Sequence, residues 1–153
     1  MDQHVLVTVD VSRSSGSMFH ESGPVFRTAD ELAAAMNSRL SVLHVVTSEH
    51  LETLMDAQPE EFRHVDTVLK QVQGELRTAL SQALPDDGAP REVRVTQGEP
   101  GQAILAQVDD TSTRFLVIGV RNRSRVGKLV FGSTAQKILL SSSCPVVAVP
   151  LPP

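Results

Sequence analysis

Phe115-Leu116-Val117-Ile118-Gly119-Val120-Arg121-Asn122-Arg123-Ser124-Arg125-Val126-Gly127-Lys128-Leu129-Val130-Phe131-Gly132-Ser133 runs directly into Thr134-Ala135-Gln136-Lys137-Ile138-Leu139-Leu140. The apolar run Phe115 to Gly119 reads as a buried strand, and Thr134 to Leu140 reads as a helix. Between them lies a cationic, glycine-bearing loop. Such a loop, between the carboxyl end of a strand and the amino end of a helix, is where α/β proteins hold anions. The chain turns tightly there, and the free N–H groups of the helix point outward. The stretch therefore predicts a phosphate site. Arg121, Arg123, Arg125 and Lys128 supply a local positive field with no carboxylate among them. Cations so close to a positive helix end are better placed if an anion sits between.

Outward from this stretch, strand and helix alternate. Val5 to Val9 is a β-branched run that closes at Asp10, and Ser12 to Gly23 reads as a Ser- and Gly-rich loop. Pro24 suits a first helical turn, followed by Phe26, Ala29, Leu32, Ala33 and Met36 at helical spacing. Leu40 to Val46 is a second strand. The spacing predicts a long helix over Glu60 to Leu84, with Phe62, Val65, Leu69, Val72, Leu76, Ala79 and Ala83 as its apolar stripe. A third strand covers Glu92 to Thr96, and Pro100 opens a helix carrying Ala103, Ile104 and Val108. Pro145 to Val149 is the fifth strand. Connections too long for hairpins imply an α/β fold with a five-stranded parallel sheet and helices on both faces. Right-handed crossovers leave few topologies, of which the order 3-2-1-4-5 is expected. That order makes strands 1 and 4 neighbours, so Asp10 and Gly119 open onto one crevice.

Composition narrows the classes. The 153 residues read as one domain, long enough to bury roughly 70% of the unfolded surface. With five Phe and neither Trp nor Tyr, the core is aliphatic and stacking platforms for single-stranded nucleic acid are scarce. A net charge of −4 argues against a partner that is nucleic acid or an anionic membrane. Cys144 is the only cysteine, which fits a reducing compartment. No basic-then-apolar leader and no membrane-length apolar run is visible, so a cytoplasmic location is expected.

Gly119, Asn122, Gly132 and Ser133 fall at the spacing Gly, two residues, Gly, nine residues, Gly-Ser/Thr, with Asn122 in place of the second glycine. With Val9-Asp10, Leu43-His44-Val45-Val46 and the closing Cys144-Pro145-Val146 run, the pattern resembles the universal stress protein family over nearly the whole chain. The resemblance implies an adenine-nucleotide-alpha-hydrolase-like, Rossmann-like fold. It implies a module that binds ATP or AMP, with Mg²⁺ if ATP brings it, acting in stress response or signalling. It also implies a homodimer formed through the last strand. Carried across, Asp10 would accept hydrogen bonds from the ribose or adenine side, and Thr8 and Val9 would offer backbone to the base. Val45 would pack on one adenine face and Ile118 on the other. Gly119, Arg121 and Asn122 would start the phosphate loop, and Gly132, Ser133 and Thr134 would meet the phosphates. Asn122 tolerates a left-handed turn but carries a Cβ and an amide that glycine lacks. Val11 stands where the family usually has glycine, in a loop several residues longer than usual.

Other readings of the same residues stay open. Ser133 with Gln136 fits a capping box with no ligand, and Asp10 fits a turn residue. His4, His20, His44, His50 and His64 show no ligand spacing, so no metal site is expected; His44 inside a strand reads as a satisfied core histidine. Cys144 reads as an inert thiol. No catalytic residue is expected: GxxxxGK[ST] is absent and no water-positioning base is evident, so turnover of ATP would at most be slow. The alternatives are a dimeric interaction protein of the same fold that holds no ATP, and a binder of another small nucleotide such as cyclic AMP. A nucleotidyl-transferring enzyme would need a Ser-Gly-Gly or HIGH-like motif, and neither occurs.

Overall fold

The computed structural model describes residues 3–9, 19, 22–121 and 131–151. In chain order the elements are β1 (His4–Thr8), α1 (Gly23–Ala35), β2 (Arg39–Val46), α2 (Ser48–Asp56), α3 (Val65–Ala83), β3 (Arg91–Gln97), α4 (Pro100–Asp110), β4 (Thr113–Arg121), α5 (Ser133–Ser141) and β5 (Val146–Leu151), with a 3-10 turn at Glu60–Phe62 before α3. The strands pair in parallel in the order β3-β2-β1-β4-β5, the order expected from the sequence. Thr8 stands opposite Leu43 on one side and Ile118 on the other, which fixes the register at the carboxyl rim.

Side chains alternate across the sheet and so build two cores. On one face Val5, Val7, Val42 and Val117 pack with Val25, Phe26 and Ala29 of α1 and with Val72 and Leu76 of α3. On the other, Leu6, Leu43, Leu116 and Ile118 pack with Ile104 and Val108 of α4 and Ile138 of α5. Each such side chain taken from water stabilises the fold by about 1.5–3 kcal/mol, before chain entropy is counted. The division of helices follows from handedness. The chain steps from β1 to β2 to β3 in one direction, then returns past β1 to β4 and β5 in the other. Right-handed crossovers then place α4 and α5 on the face opposite α1 and α3. The connections after β1 and β4 leave in opposite directions, so a crevice opens at the carboxyl ends of those two strands.

The structure corrects the sequence reading in three places. The helix expected from Glu60 begins at Val65, because Arg63 (φ −81°, ψ 62°) and the extended His64 break the chain after the 3-10 turn. Phe62 and Val65, placed in the apolar stripe, are 52% and 38% exposed; the buried stripe is Val68, Val72, Leu76, Ala79 and Leu80. Helix α2 had no counterpart in the sequence reading. Its signals are Thr47, whose hydroxyl accepts from the His50 N–H at 3.2 Å, and Leu51, Leu54 and Met55 at helical spacing. The start of β3 is tied down by Arg91. Its guanidinium donates to both carboxylate oxygens of Asp30 on α1, at 3.0 and 3.1 Å, and to the Pro85 carbonyl at 2.9 Å.

Candidate functional site

At the carboxyl rim, a cavity of about 380 Å³ lies between the ends of β1 and β4 and the helices α4 and α5. Its volume falls within the range of small-molecule sites. Leu43 and Val45 of β2, Ile118 of β4, Ile104 of α4 and Ile138 of α5 make an apolar floor. Thr8 and the first turn of α5, Ser133 and Thr134, bring polar groups to its lining. An apolar floor beside a polar, N–H-bearing rim suits a flat heterocycle joined to an anion.

The two glycines singled out by spacing serve different ends. A Cβ on Gly119 would meet Val25 Cγ2 at 3.0 Å and Leu151 Cδ1 at 3.1 Å, on the α1 side of the sheet. Glycine is favoured there by the packing of the protein itself, since Val25 and Leu151 would have to give way to a Cβ, although the backbone of Gly119 also borders the cavity. Gly132 is the opposite case. Its φ of −68° and ψ of 170° suit any residue, and no described atom lies within 4 Å of where a Cβ would stand. Neither its conformation nor packing against the described residues asks for glycine, and what its hydrogen leaves is room at the cavity free of described atoms.

Gly132 is also the N-cap of α5, and among the described residues no side chain caps that helix. The capping box left open as an alternative reading of Ser133 and Gln136 does not form. Ser133 already lies within the helix, so its hydroxyl is not at the cap position, and Gln136 Nε2 instead donates to the Phe131 carbonyl at 3.3 Å. The first intrahelical bond runs from Gln136 N–H to Gly132 O at 3.0 Å. The N–H groups of Ser133, Thr134 and Ala135 precede it in a first turn that lines the cavity, so the positive end of the helix dipole is directed there. The amino end of α4 is closed by contrast. Glu99 accepts from Gln102 N–H at 2.7 Å and Gly101 N–H at 3.1 Å, and receives Lys137 Nζ from α5 at 3.2 Å. These backbone bonds, the one from Gln102 foremost, with Lys137 adding to them, hold the Glu99 carboxyl below its ordinary value.

Of the residues nominated from sequence, Thr8, Val9, Val45, Ile118, Gly119, Gly132, Ser133 and Thr134 line this one cavity. Val9 has little backbone to offer: its N–H reaches Leu43 O at 3.4 Å and its carbonyl accepts from His44 Nδ1 at 2.8 Å. Arg121 closes β4 opposite Leu151. Asp10, Asn122, Arg123, Arg125 and Lys128 lie outside the described residues. The sequence reading missed Leu43, Pro100, Val120, Ala135 and Leu151 as lining residues and did not assign Ile104 and Ile138 to the site. Leu43 was in reach, since it shares a strand face with Val45; the approach of α4 to the rim carries no local signal. Among the described residues no group of three or more His, Cys, Asp or Glu side chains is placed to hold a metal ion, and no helix is long and apolar enough to cross a membrane.

Residues 1–150 match the profile of the Universal stress protein family. A universal stress protein of Thermus aquaticus is 31% identical over 118 residues, covering 76% of this chain and 81% of that protein. One from Mycolicibacterium smegmatis is 43% identical over 67 residues, 43% of this chain and 52% of that protein, so this match spans about half of that relative's length. Among solved structures, a universal stress protein family member from Arabidopsis thaliana with AMP bound superposes with a TM-score of 0.62 at 18% identity, over 97% of this chain and 91% of that one. A universal stress protein in complex with cAMP gives 0.59 at 21% identity, over 99% and 98% of the two chains. At these identities the structural likeness is one of fold.

Proposed function

The chain belongs to the universal stress protein family, and from that premise we propose that it is a single-domain binding protein for an adenine mononucleotide, AMP or ATP. The observation that carries this reading is the start of α5, which no described side chain caps, beside the space at Gly132 that no described atom fills, on the rim of an apolar-floored cavity. The base lies between Val45 and Ile118, where its faces replace water against aliphatic side chains. The sugar turns toward Thr8 and Asp10. The phosphate accepts from the Ser133 and Thr134 N–H groups, with the Ser133 hydroxyl, Arg121 and Asn122 as further donors. A Cβ-free residue 132 lets the phosphate oxygens come close. Family members with AMP, dAMP and cAMP bound lend the ligand class its support. ATP would bring Mg²⁺ on its own phosphates, since the chain is not proposed to carry a resident metal.

The protein acts in this reading by holding nucleotide, as part of a cytoplasmic stress response, without turning it over. It does so as a homodimer through β5. Leu116 N–H bonds to Pro145 O, so the odd-numbered residues of β5 face β4 and Val146, Ala148 and Pro150 present their main chain to the outer edge. Pro150 lacks an N–H, which suits an outward position, and Val146 and Ala148 keep donors for a second copy. Leu140, 87% exposed on the neighbouring α5, adds apolar surface.

The test is mass spectrometry of ligand released from freshly purified protein, followed by calorimetric titration of the stripped protein with AMP, ATP and cAMP. Recovery of an adenine nucleotide and saturable binding are expected. Selective binding of cAMP would substitute the cyclic nucleotide, for which the cAMP-bound relative speaks. An empty protein with no response to any of the three at millimolar concentration would leave a same-fold interaction protein.

A further inference from the structure

His44 stands on β2 between Leu43 and Val45, both of which line the cavity, so strand alternation sends its side chain to the opposite face of the sheet. There it is 3% exposed, its Nδ1 lies 2.8 Å from the carbonyl oxygen of Val9, and the edge of its ring meets Phe19 at 5.2 Å between centroids, nearly perpendicular at 80°. A carbonyl only accepts, so Nδ1 carries the hydrogen of this bond. Val9 follows the last residue of β1, and its own N–H reaches Leu43 O only at 3.4 Å. The sheet ladder therefore holds Val9 by a long bond, and His44 holds it by a short one. The Val9 side chain belongs to the core on the α1 face, so its backbone is what borders the cavity. Phe19, 2% exposed, brings the end of the segment after β1 onto the same histidine.

We propose that His44 is a positioning residue for the nucleotide site: from behind the sheet it fixes the main chain at Val9, and with it Thr8, at the cavity rim. This rests on the nucleotide reading and assigns a residue that does not itself touch ligand. Two contacts of the imidazole, the Val9 bond and the Phe19 ring, can be separated by substitution. His44→Asn keeps a donor at the Nδ1 position and loses the ring against Phe19; His44→Phe keeps a ring and loses the donor.

Calorimetric titration with AMP tests this, alongside thermal unfolding of each variant and a core control, Val72→Ala, on α3 at 3% exposure. His44→Phe should bind AMP about tenfold more weakly, the scale of one hydrogen bond. His44→Asn should stay within about threefold of the parent while losing thermal stability. The control should lose stability and keep affinity. Nucleotide binding by the parent with unaltered affinity in His44→Phe would overturn the inference alone. Equal losses in the two His44 variants, or in His44→Phe and the control, would also overturn it. Absence of AMP binding by the parent would remove the nucleotide reading and this inference with it. Should His44→Phe not fold, the Nδ1 proton resonance of His44 in the parent serves instead: it should shift at saturating AMP, and no shift would refute the coupling.

Discussion

Replacing Gly132 by valine isolates the proposed phosphate cradle from the rest of the fold. The backbone there, at φ −68° and ψ 170°, accepts any residue, and no described atom lies within 4 Å of the new Cβ. Because Gly132 is the N-cap of α5 and valine caps less well than glycine, the substitution should lower stability by only about 0.5–1.5 kcal/mol. Its methyl groups would fill the space before the Ser133 and Thr134 N–H groups that a phosphate would use. Charge-assisted hydrogen bonds contribute about 1.5–3 kcal/mol each. Loss of both bonds is about 3–6 kcal/mol, or roughly a 10²- to 10⁴-fold weakening of AMP binding. Calorimetric titration and thermal melts of the parent and Gly132→Val read the two quantities separately. Gly119→Ala supplies the converse, because its Cβ would stand 3.0 Å from Val25 Cγ2 and 3.1 Å from Leu151 Cδ1. Overpacking there should cost about 1–3 kcal/mol of stability while folded protein still binds AMP. Normal AMP affinity in Gly132→Val, or unfolding caused by it, would refute this assignment of roles to the two glycines.

The Arg91–Asp30 pair is bidentate and its side chains are 14% and 20% exposed, so Asp30→Ala should lower stability by about 1–3 kcal/mol, seen as a fall of a few degrees or more in the unfolding midpoint; an unchanged midpoint would show the pair to be idle. Glu99 has its carboxyl lowered first by the Gln102 N–H bond, so its ionised form favours the folded state. That contribution is fully present above the unfolded carboxyl value of about 4.3 and is lost as pH falls through the depressed folded value. Urea midpoints of the parent and Glu99→Gln should therefore differ at neutral pH and converge in acid, and a constant difference would contradict the assignment. Ala148→Pro removes an outward N–H from the edge of β5 without touching the β4 ladder, and light scattering should report a shift from dimer toward monomer with the fold retained.

Fold and site were legible to different depths. The strands could be read because apolar, β-branched runs ending at Asp10 and Gly119 alternate with helical stripes, and handedness left few topologies, among them the order β3-β2-β1-β4-β5 that was expected and is found. The beginning of α3 could not, because Phe62 and Val65 keep the helical period while Arg63 and His64 leave helical backbone geometry. Spacing brought Gly119 and Gly132 to one cavity but carried no information on why each is glycine; that depends on Val25 and Leu151, distant in sequence, for one and on space free of described atoms for the other. The Ser133–Gln136 pattern left a ligand-free cap open for a related reason: a capping box describes local sequence, and the chain enters α5 one residue earlier, at Gly132. His44 was legible as a satisfied core histidine, but its partner Val9 is a long-range neighbour across the sheet.

The account stands most directly on the main-chain amides at the start of α5. In ¹⁵N-labelled protein titrated with AMP, the resonances of Ser133, Thr134 and Ala135 should shift strongly and saturate together with those of Thr8 and Val45. Saturable binding that leaves the three α5 amides unmoved, or no response anywhere at millimolar AMP, would contradict it.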